Sequence, residues 1–379
     1  KEIRPAVTVE HQFSMITSPW IFASSEDIMN AVDYAGGDYY GGFLQQTFIN
    51  KYYKNVSPML PFTYHTSRCD PELNQHTTTK TSDELLLHAI TALVHGGAFQ
   101  LVDAINPDGT IVPEVYTKLM KGVFEQTRPY EKYVSGKLLH DAGIWFASHA
   151  KFDPDEKGSV TEHSYSPRFF VDAPTKLAGI LRENNIPFEV FGSRNLKDYK
   201  GQVLILSHVA RILDSEMDDI EAYVNRGGSL YVSGSIAHPR LAKLLGVHTV
   251  GETEHTFTYI SPTKAGERYL QGFAKRVQMT VNMEQYIGEA EGDVEVLGTL
   301  TLPYTLQGTP DFAAIHSNPP GEYTDSPAIT LKTVGKSKRL WVSAAVETLR
   351  PYMTHCAVAN LLRALIDKAV DIEQRRRRE

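Results

Sequence analysis

The chain has 379 residues, of which 42% are hydrophobic and 22% are charged, and its formal net charge is -7. This length allows two or three domains with full cores, and the composition is that of a soluble globular protein. An acidic chain without a clustered Lys/Arg surface is not expected to bind nucleic acid, and no apolar run approaches the roughly 20 residues that a membrane span requires.

The two cysteines, Cys69 and Cys356, stand far apart and form neither a disulfide framework nor a zinc motif. The first ten residues contain no signal-peptide core, so the expected location is the reducing cytoplasm. The basic run Arg375–Arg378 is expected to be a solvated tail.

Strand and helix patterns alternate through the first part of the chain. Strands are predicted at 6–10, 36–40, 61–69 and 98–103, and helices at 24–35, 43–53, 81–97 and 113–133. About four consecutive strand–helix units predict a parallel sheet or barrel, with functional residues at the carboxyl ends of the strands. Four such units are half of an eight-fold barrel.

The clearest of these helices is the one at 81–97. Thr81 and Glu84 form a capping box, and a pair of glycines ends the pattern. The apolar residues between Leu85 and Val94 fall on one stripe, which leaves His88 and His95 on a predicted solvated face.

A second α/β pattern follows at 138–246. Strands are predicted at 142–149, 187–191, 202–208 and 229–234, and helices at 172–185 with Asp172 as cap, 214–228 and 238–246. This alternation is typical of a doubly wound, flavodoxin-like domain. The remainder is richer in strands, including 312–317, and ends in a helix at 355–370 that is expected to cover the sheet of this second domain.

Polar side chains collect at the strand ends of the first part. They are Glu10, His11, Asp38, Tyr40, His65, Arg68 and Asp103, with Trp20 in the loop after the first strand. A sugar site needs carboxylates for catalysis, polar groups for the hydroxyls and rings that stack on the sugar face. A generic α/β enzyme could present the same set.

Each candidate also has a structural interpretation. Glu10 could be a buried, paired carboxylate or a solvated loop acid, and Arg68 could form an ion pair with Asp70 or Asp38. Asp103 could cap the turn that follows it. The chain has no glycine-rich phosphate motif and no cysteine between positions 70 and 355 that could serve an amidotransferase, and no cofactor or metal is indicated.

Longer motifs resemble a known group of enzymes. They are 9–13 (VEHQF), 33–48 (DYAGGDYYGGFLQQTF), 66–69 (TSRC), 74–110 and 130–134 (YEKYV). These stretches resemble glycoside hydrolases whose barrel is followed by a domain like the trimerisation domain of family 42 β-galactosidases, and the α-L-fucosidases of glycoside hydrolase family 151 in particular. The segment 138–246 is similar to that trimerisation domain, so the resemblance covers nearly all of the chain.

The resemblance implies a fold of the α/β class. Residues 1–136 would form the C-terminal half of a (β/α)8-like barrel, and residues 137–379 a flavodoxin-like trimerisation-type domain. The strand at 98–103 would then be the last barrel strand, with Asp103 at the barrel mouth. The protein would assemble into a homo-oligomer, either a dimer or a trimer.

The resemblance also implies a retaining glycosidase that acts on an oligosaccharide or glycoside, with an α-L-fucoside as the expected substrate. Glu10 and Asp38 are the catalytic candidates, as acid/base or as hydroxyl ligands. The substrate-binding candidates are His11, Trp20, Tyr40, His65, Arg68 and Asp103. Related fucosidases carry their nucleophile on an earlier strand, so none is assigned here. The alternative is a non-catalytic fragment or module that serves oligomer assembly or carbohydrate binding.

Overall fold

A computed structural model describes residues 3–70, 78–134, 136–152, 169–305 and 319–367. Two compact units are present, one within Lys1–Leu138, Phe152–Ser166 and Val190–Asn195, and the other within Leu139–Lys151, Pro167–Glu189 and Leu196–Glu379. The predicted strand at 312–317 and the basic run Arg375–Arg378 lie outside the described residues.

A three-stranded parallel sheet in the order β1-β2-β3 forms the centre of the first unit. Its strands are β1 (Gly36–Asp38), β2 (Thr63–Ser67) and β3 (Ala98–Val102). The helices are α1 (Phe43–Val56), α2 (Ser82–Val94) and α3 (Lys121–Thr127), with a π-helical turn at Val115–Met120 and a 3-10 turn at Arg128–Tyr133 around α3. Because all three strands run in one direction, their carboxyl ends share one edge of the sheet.

The prediction of a strand at 6–10 is wrong, because this segment forms no regular strand. The chain forms a single parallel bridge between Gln12 and Gly36 instead of a regular ladder. The carboxylate of Asp33 accepts a hydrogen bond from the backbone N–H of Val9 at 2.8 Å, and the N–H of Asp33 donates to the carbonyl of Val9 at 2.8 Å. A side chain therefore occupies a backbone donor that a strand ladder would use.

These same contacts shorten the predicted helix at 24–35, which is a 3-10 turn at Glu26–Asn30. Ser25 is its N-cap, because its side chain accepts a hydrogen bond from the N–H of Asp27 at 3.2 Å. The chain must leave the helical path before Asp33 to reach the segment around Val9.

Helix α2 confirms the prediction at 81–97 but presents a different face to the core. The prediction of a solvated face at His88 and His95 is wrong, since these side chains are 0% and 7% exposed. The buried face runs through Leu85, His88 and Ala92 at helical spacing, whereas Val94 is 52% exposed. A stripe defined by apolar residues alone misses a histidine that has buried hydrogen-bond partners.

Most of the second unit is built on a nine-stranded sheet in the order β10-β9-β12-β13-β14-β7-β6-β4-β5. Its strands are β4 (Ala142–Trp145), β5 (Phe188–Phe191), β6 (Val203–Ser207), β7 (Ser229–Ser233), β9 (Thr258–Pro262), β10 (Met279–Val281), β12 (Glu295–Pro303), β13 (Pro320–Val334) and β14 (Ser337–Val342). Strands β8 (Val247–Glu252) and β11 (Tyr286–Ala290) form a separate antiparallel pair. Counted along the chain, the strands β5-β4-β6-β7-β14 stand in the order 2-1-3-4-5, one of the two common doubly wound orders.

The helices of this part of the chain are α4 (Phe169–Glu183), α5 (Ser193–Leu196), α6 (Asp214–Asn225), α7 (Pro239–Leu245) and α8 (Tyr352–Leu365). Helix α4 begins before the predicted cap, so Asp172 lies inside its first turn. Every residue of β6 and β7 is buried, as expected for parallel strands that are covered on both faces. The closing helix α8 contacts β7 and α4, in agreement with the predicted covering layer.

Candidate active site

Two carboxylates flank one imidazole at the carboxyl edge of the first sheet. Asp38, the last residue of β1, pairs in register with His65 of β2, and Nδ1 of His65 lies 3.0 Å from Oδ1 of Asp38. On the other side of the ring, Nε2 of His65 lies 3.4 Å from Oε1 of Glu10. All three side chains are only partly exposed, so the group is reachable but screened less than a surface cluster.

Glycine at position 36 makes room for the Glu10 carboxylate. A Cβ placed on Gly36 would overlap Oε1 of Glu10 and Oγ1 of Thr63. Gly36 and Asp38 are two residues apart in β1 and therefore face the same side of the sheet. The missing side chain of Gly36 thus leaves the space that Glu10 fills beside Asp38.

Asp38 is held in its charged form. The hydrogen bond from His65 is the main cause that lowers the pKa of Asp38, and it outweighs the opposing effect of burial. Tyr40 adds to this effect, since its hydroxyl donates to Oδ2 of Asp38 at 3.2 Å. A side-chain hydrogen bond from Gln12 lowers it further, and the side-chain oxygen of Gln12 separately accepts from the backbone N–H of Asp38 at 3.2 Å. Asp38 is consequently a hydrogen-bond acceptor at neutral pH.

Arg68 and Asp103 form a second, more deeply buried pair. Nε of Arg68 lies 2.5 Å from Oδ1 of Asp103, and both side chains are 5% exposed. The backbone brings them together, because the N–H of Arg68 donates to the carbonyl of Val102 at 2.9 Å, one step beyond the ladder between β2 and β3. Arg68 thus forms its ion pair with Asp103 and not with Asp70 or Asp38, the two partners considered from the sequence.

Both members of this pair also form hydrogen bonds with residues of nearby loops. Nη1 of Arg68 donates to the carbonyl of Thr78 at 3.2 Å and to Oγ1 of Thr79 at 2.9 Å. Oδ1 of Asp103 also accepts the N–H of Ala104 at 2.7 Å, so Asp103 caps the following turn in addition to pairing with Arg68. The two structural roles considered for these residues, ion pairing and turn capping, are both present.

Lys80 is a central residue of this region that no sequence pattern indicates. Its side chain is 2% exposed, and its Nζ donates to the carbonyls of Ser67 and Cys69 at 3.0 Å each. The same Nζ lies 5.7 Å from the centroid of the Tyr40 ring. Lys80 therefore connects the end of β2 to the Tyr40–Asp38–His65 group.

A buried polar network lies beneath the site. The hydroxyl of Tyr64 lies 3.1 Å from Nδ1 of His88, and Nε2 of Gln46 lies 3.1 Å from Nε2 of His88. The Gln46 amide nitrogen also donates to the carbonyl of Gly41 at 3.2 Å, which fixes it as a donor, so Nε2 of His88 accepts and Nδ1 carries the proton. Burial, with a smaller contribution from the Lys80 charge, lowers the pKa of His88 to about 4.

Two of the predicted site residues are not joined to these groups. His11 has an exposed side chain, and no hydrogen bond or ion pair within the described ranges links it to the other candidates. Trp20 lies in a 3-10 turn at Trp20–Phe22 and packs edge-on against Phe152, with ring centroids 5.1 Å apart at 70°. The structure thus brings together Glu10, Asp38, Tyr40 and His65 in one group and Arg68 with Asp103 in another.

The chemical groups on this edge are carboxylates, one imidazole, one guanidinium and one phenol. Within the part of the chain that the structure describes, no group of three or more His, Cys, Asp or Glu side chains is placed to hold a metal ion. The helices that are described there include none of the length and apolarity needed to cross a bilayer. The carboxylates, imidazole, guanidinium and phenol on this edge can bind hydroxyl groups, and the carboxylates and imidazole can transfer protons.

The chain was compared with known proteins by sequence and by structure. No protein-family model and no curated protein matches it. Its structure is similar to those of the α-L-fucosidase isoenzyme 2 from Paenibacillus thiaminolyticus (TM-score 0.72, 16% identity, 96% of this chain and 53% of that chain) and the β-galactosidase from Rahnella sp. R3 (0.69, 12%, 96% and 55%). It is also similar to the β-galactosidase from Bacillus circulans sp. alkalophilus (0.69, 13%, 96% and 54%).

These identities are low, so the similarity establishes the fold. The chain has an α/β fold with mixed sheets that matches these glycosidase structures along nearly its whole length. It spans about half the length of each of them.

Proposed function

We propose that the chain is the C-terminal part of a retaining glycosidase, with a terminal α-L-fucoside as its substrate. In this proposal the first unit is the C-terminal half of a (β/α)8-like barrel, and the second unit is a flavodoxin-like assembly domain of a homo-oligomer. The main support is the placement of Glu10, His65 and Asp38 in contact at the carboxyl edge of parallel strands, where barrel enzymes hold their sites. The fold similarity to a fucosidase and to β-galactosidases supports the same class.

In this proposal Asp38 and Glu10 have different catalytic roles. Asp38 has a lowered pKa and three polar neighbours, so it is suited to accept hydrogen bonds from sugar hydroxyls and to stabilise positive charge on the sugar ring. Glu10 is the group that exchanges a proton with the glycosidic oxygen or with water. Retention of configuration requires a carboxylate nucleophile about 5–5.5 Å from that acid, which a segment outside this chain would supply.

The other candidates serve to bind the sugar. Tyr40, His65 and Arg68 supply hydrogen-bond donors, and Asp103 supplies an acceptor that also holds Arg68. Trp20 is proposed as a stacking ring and His11 as an exposed contact to the substrate. Several donors and acceptors around one ring would select the orientation of its hydroxyl groups.

The alternative is a non-catalytic module for oligomer assembly or carbohydrate binding. Such a module would bind sugar or self-associate without hydrolysing any glycoside. The two functions therefore differ in turnover.

The test is hydrolysis of p-nitrophenyl α-L-fucoside and p-nitrophenyl β-D-galactoside by the natural polypeptide, with its intact mass measured beside this 42.4 kDa chain. Fucoside turnover is expected, and Glu10→Gln should lower kcat/KM by roughly 10²–10⁴-fold, the usual contribution of a general acid–base group. Glu125→Gln is the matched control, because Glu125 is an exposed helical glutamate at 62%. No turnover of either glycoside by the natural polypeptide would overturn the enzyme proposal in favour of the module.

A further inference from the structure

Lys80 surrounds the backbone of Arg68 with three hydrogen bonds. Its Nζ donates to the carbonyl of Ser67 on one side of Arg68 and to that of Cys69 on the other, both at 3.0 Å. The backbone N–H of Lys80 donates to the carbonyl of Arg68 itself at 2.8 Å. Three successive carbonyl groups at the end of β2 are thus bound by one residue.

This arrangement is unusual for the place where a strand ends. A strand that leaves its sheet normally exposes its last carbonyls to water or to a turn. Here the ammonium group is buried, so the carbonyl dipoles must replace part of its hydration shell. Loss of the Lys80 ammonium group would leave the carbonyls of Ser67 and Cys69 without this donor and would loosen the segment that carries Arg68.

The same ammonium group also lies close to the other half of the site. It stands 5.7 Å from the centroid of the Tyr40 ring, within the range of a cation–π contact. Tyr40 in turn donates to Asp38. Lys80 therefore contacts both the backbone on either side of Arg68 and the ring of Tyr40.

We propose that Lys80 is a positioning residue that fixes Arg68 against Asp103 and orients Tyr40 toward Asp38. The consequence for catalysis rests on the proposed glycosidase function, whereas the effect on Arg68 does not depend on it. A purely structural lysine would stabilise the fold without any specific influence on the Arg68–Asp103 pair. The two views differ in what happens when both the lysine and the pair are changed.

A double-mutant cycle on the natural polypeptide separates them. Lys80→Met removes the two side-chain hydrogen bonds and keeps the backbone one, and Asp103→Asn weakens the pair while keeping an oxygen for Arg68 and Ala104. We expect each variant to lower kcat/KM on the fucoside about 10-fold or more, and the double variant to lose little beyond the larger single effect. Multiplicative losses would overturn the proposal, because they would mean that Lys80 acts independently of the pair.

A second measurement needs no activity. In protein labelled with ¹⁵N-arginine, the Nε–H of Arg68 should give a resonance protected from exchange in the wild type, and Lys80→Met should abolish that protection. Arg240 is an internal control, since its Nε donates to Glu221 at 3.0 Å in the second unit. Retained protection of Arg68 in Lys80→Met would sink the proposal even if activity fell.

Two further variants guard against misfolding and general effects. Lys80→Arg keeps a charge and several donors, so it should restore most of the Arg68 protection; failure to do so in a folded variant counts against the proposal. Lys121→Met removes an exposed lysine, 64% accessible, and should change neither readout. If the wild type hydrolyses no glycoside, the proposed function fails while the arginine resonance still decides the role of Lys80.

Discussion

His65 and Asp38 stand opposite each other on neighbouring parallel strands, and their side chains meet at 3.0 Å between Nδ1 and Oδ1. The strand register alone places the two side chains on one face of the sheet, where the carboxylate can accept from the ring. Glu10 then reaches the opposite ring nitrogen from a segment held by the single bridge at Gln12. The imidazole is therefore the connection between the two carboxylates.

This relationship predicts a change in acid stability. The pKa of Asp38 is lowered in the folded state, chiefly by His65, so its contribution to stability is present above the unfolded pKa of about 3.9 and is lost as the pH falls through the folded value. His65→Gln should raise the pKa of Asp38 toward its unfolded value, so the variant should be less stable at neutral pH and should lose less stability than the wild type as the pH falls below about 4. Urea unfolding between pH 7 and pH 3 measures this, and superimposable pH profiles for the two proteins would contradict it.

The glycines of β1 should differ in what they disturb. In Gly36→Ala the new methyl group meets only side-chain atoms, the end of the flexible Glu10 side chain and the hydroxyl of Thr63, and no backbone atom, so activity should fall more than stability. In Gly37→Ala the methyl group meets Tyr53 Oη at 2.6 Å and the backbone nitrogen of Ser14 at 2.8 Å. That site cannot yield as easily, and we expect a loss of about 1–3 kcal/mol.

Thermal and urea unfolding together with fucoside kinetics test this pair of alanine variants. The expected outcome is a variant of Gly36 with near-normal stability and low kcat/KM, beside a variant of Gly37 with reduced stability. Equal effects of both substitutions on stability and activity would show that Gly36 is not specifically needed for the position of Glu10.

Local patterns in the sequence predicted most of the helices and strands of the first unit. Helix α2 is an example, because Thr81 caps it through the N–H of Glu84 at 3.2 Å, an interaction that spans three residues. The strand at 6–10 failed because its donor at Val9 is taken by Asp33, which is 24 residues away. No periodicity of β-branched residues can reveal such a competitor.

Sequence patterns predict the site only where its residues lie at the carboxyl ends of strands. The expectation that functional residues lie there selects Asp38, His65 and Asp103, since parallel strands end on one edge. It does not select Lys80, which precedes a helix and reaches back 13 residues to Ser67. Nor does it find the burial of His88, which depends on Tyr64 and Gln46 from two other elements.

Removing one partner of the Arg68–Asp103 pair should lower the free energy of unfolding strongly, whereas replacing both partners by apolar residues should lower it much less. Arg68→Met leaves the Asp103 carboxylate 5% exposed without its counter-charge, and we expect a loss of about 3–5 kcal/mol. The double variant Arg68→Met/Asp103→Leu removes both charges and should recover much of that loss. Urea unfolding measures both.

The exposed pair of Arg268 and Glu295, at 62% and 43% side-chain exposure, supplies the control. Arg268→Met should cost at most about 1 kcal/mol, as is usual for surface ion pairs. A similarly small cost for Arg68→Met would mean that the Asp103 carboxylate finds another partner or water in its absence.

The buried network around His88 predicts that stability depends on pH, because His88 is neutral in the folded protein. Burial lowers the pKa of His88 to about 4 in the folded protein, whereas the unfolded value is about 6.5. Its contribution to stability is therefore fully present above pH 6.5 and declines as the pH falls toward 4, because the unfolded chain binds the proton first. The full decline is on the order of 3 kcal/mol.

His88→Gln removes this titration while keeping a donor and an acceptor for Tyr64 and Gln46. The variant should be less stable than the wild type at pH 7, and its stability should fall less steeply between pH 6.5 and pH 4. His95, also buried with a pKa lowered to about 4, remains in both proteins and contributes the same slope to each. Urea unfolding at four pH values across this window gives the comparison, and parallel curves would mean that the pKa of His88 is the same in the folded and unfolded states.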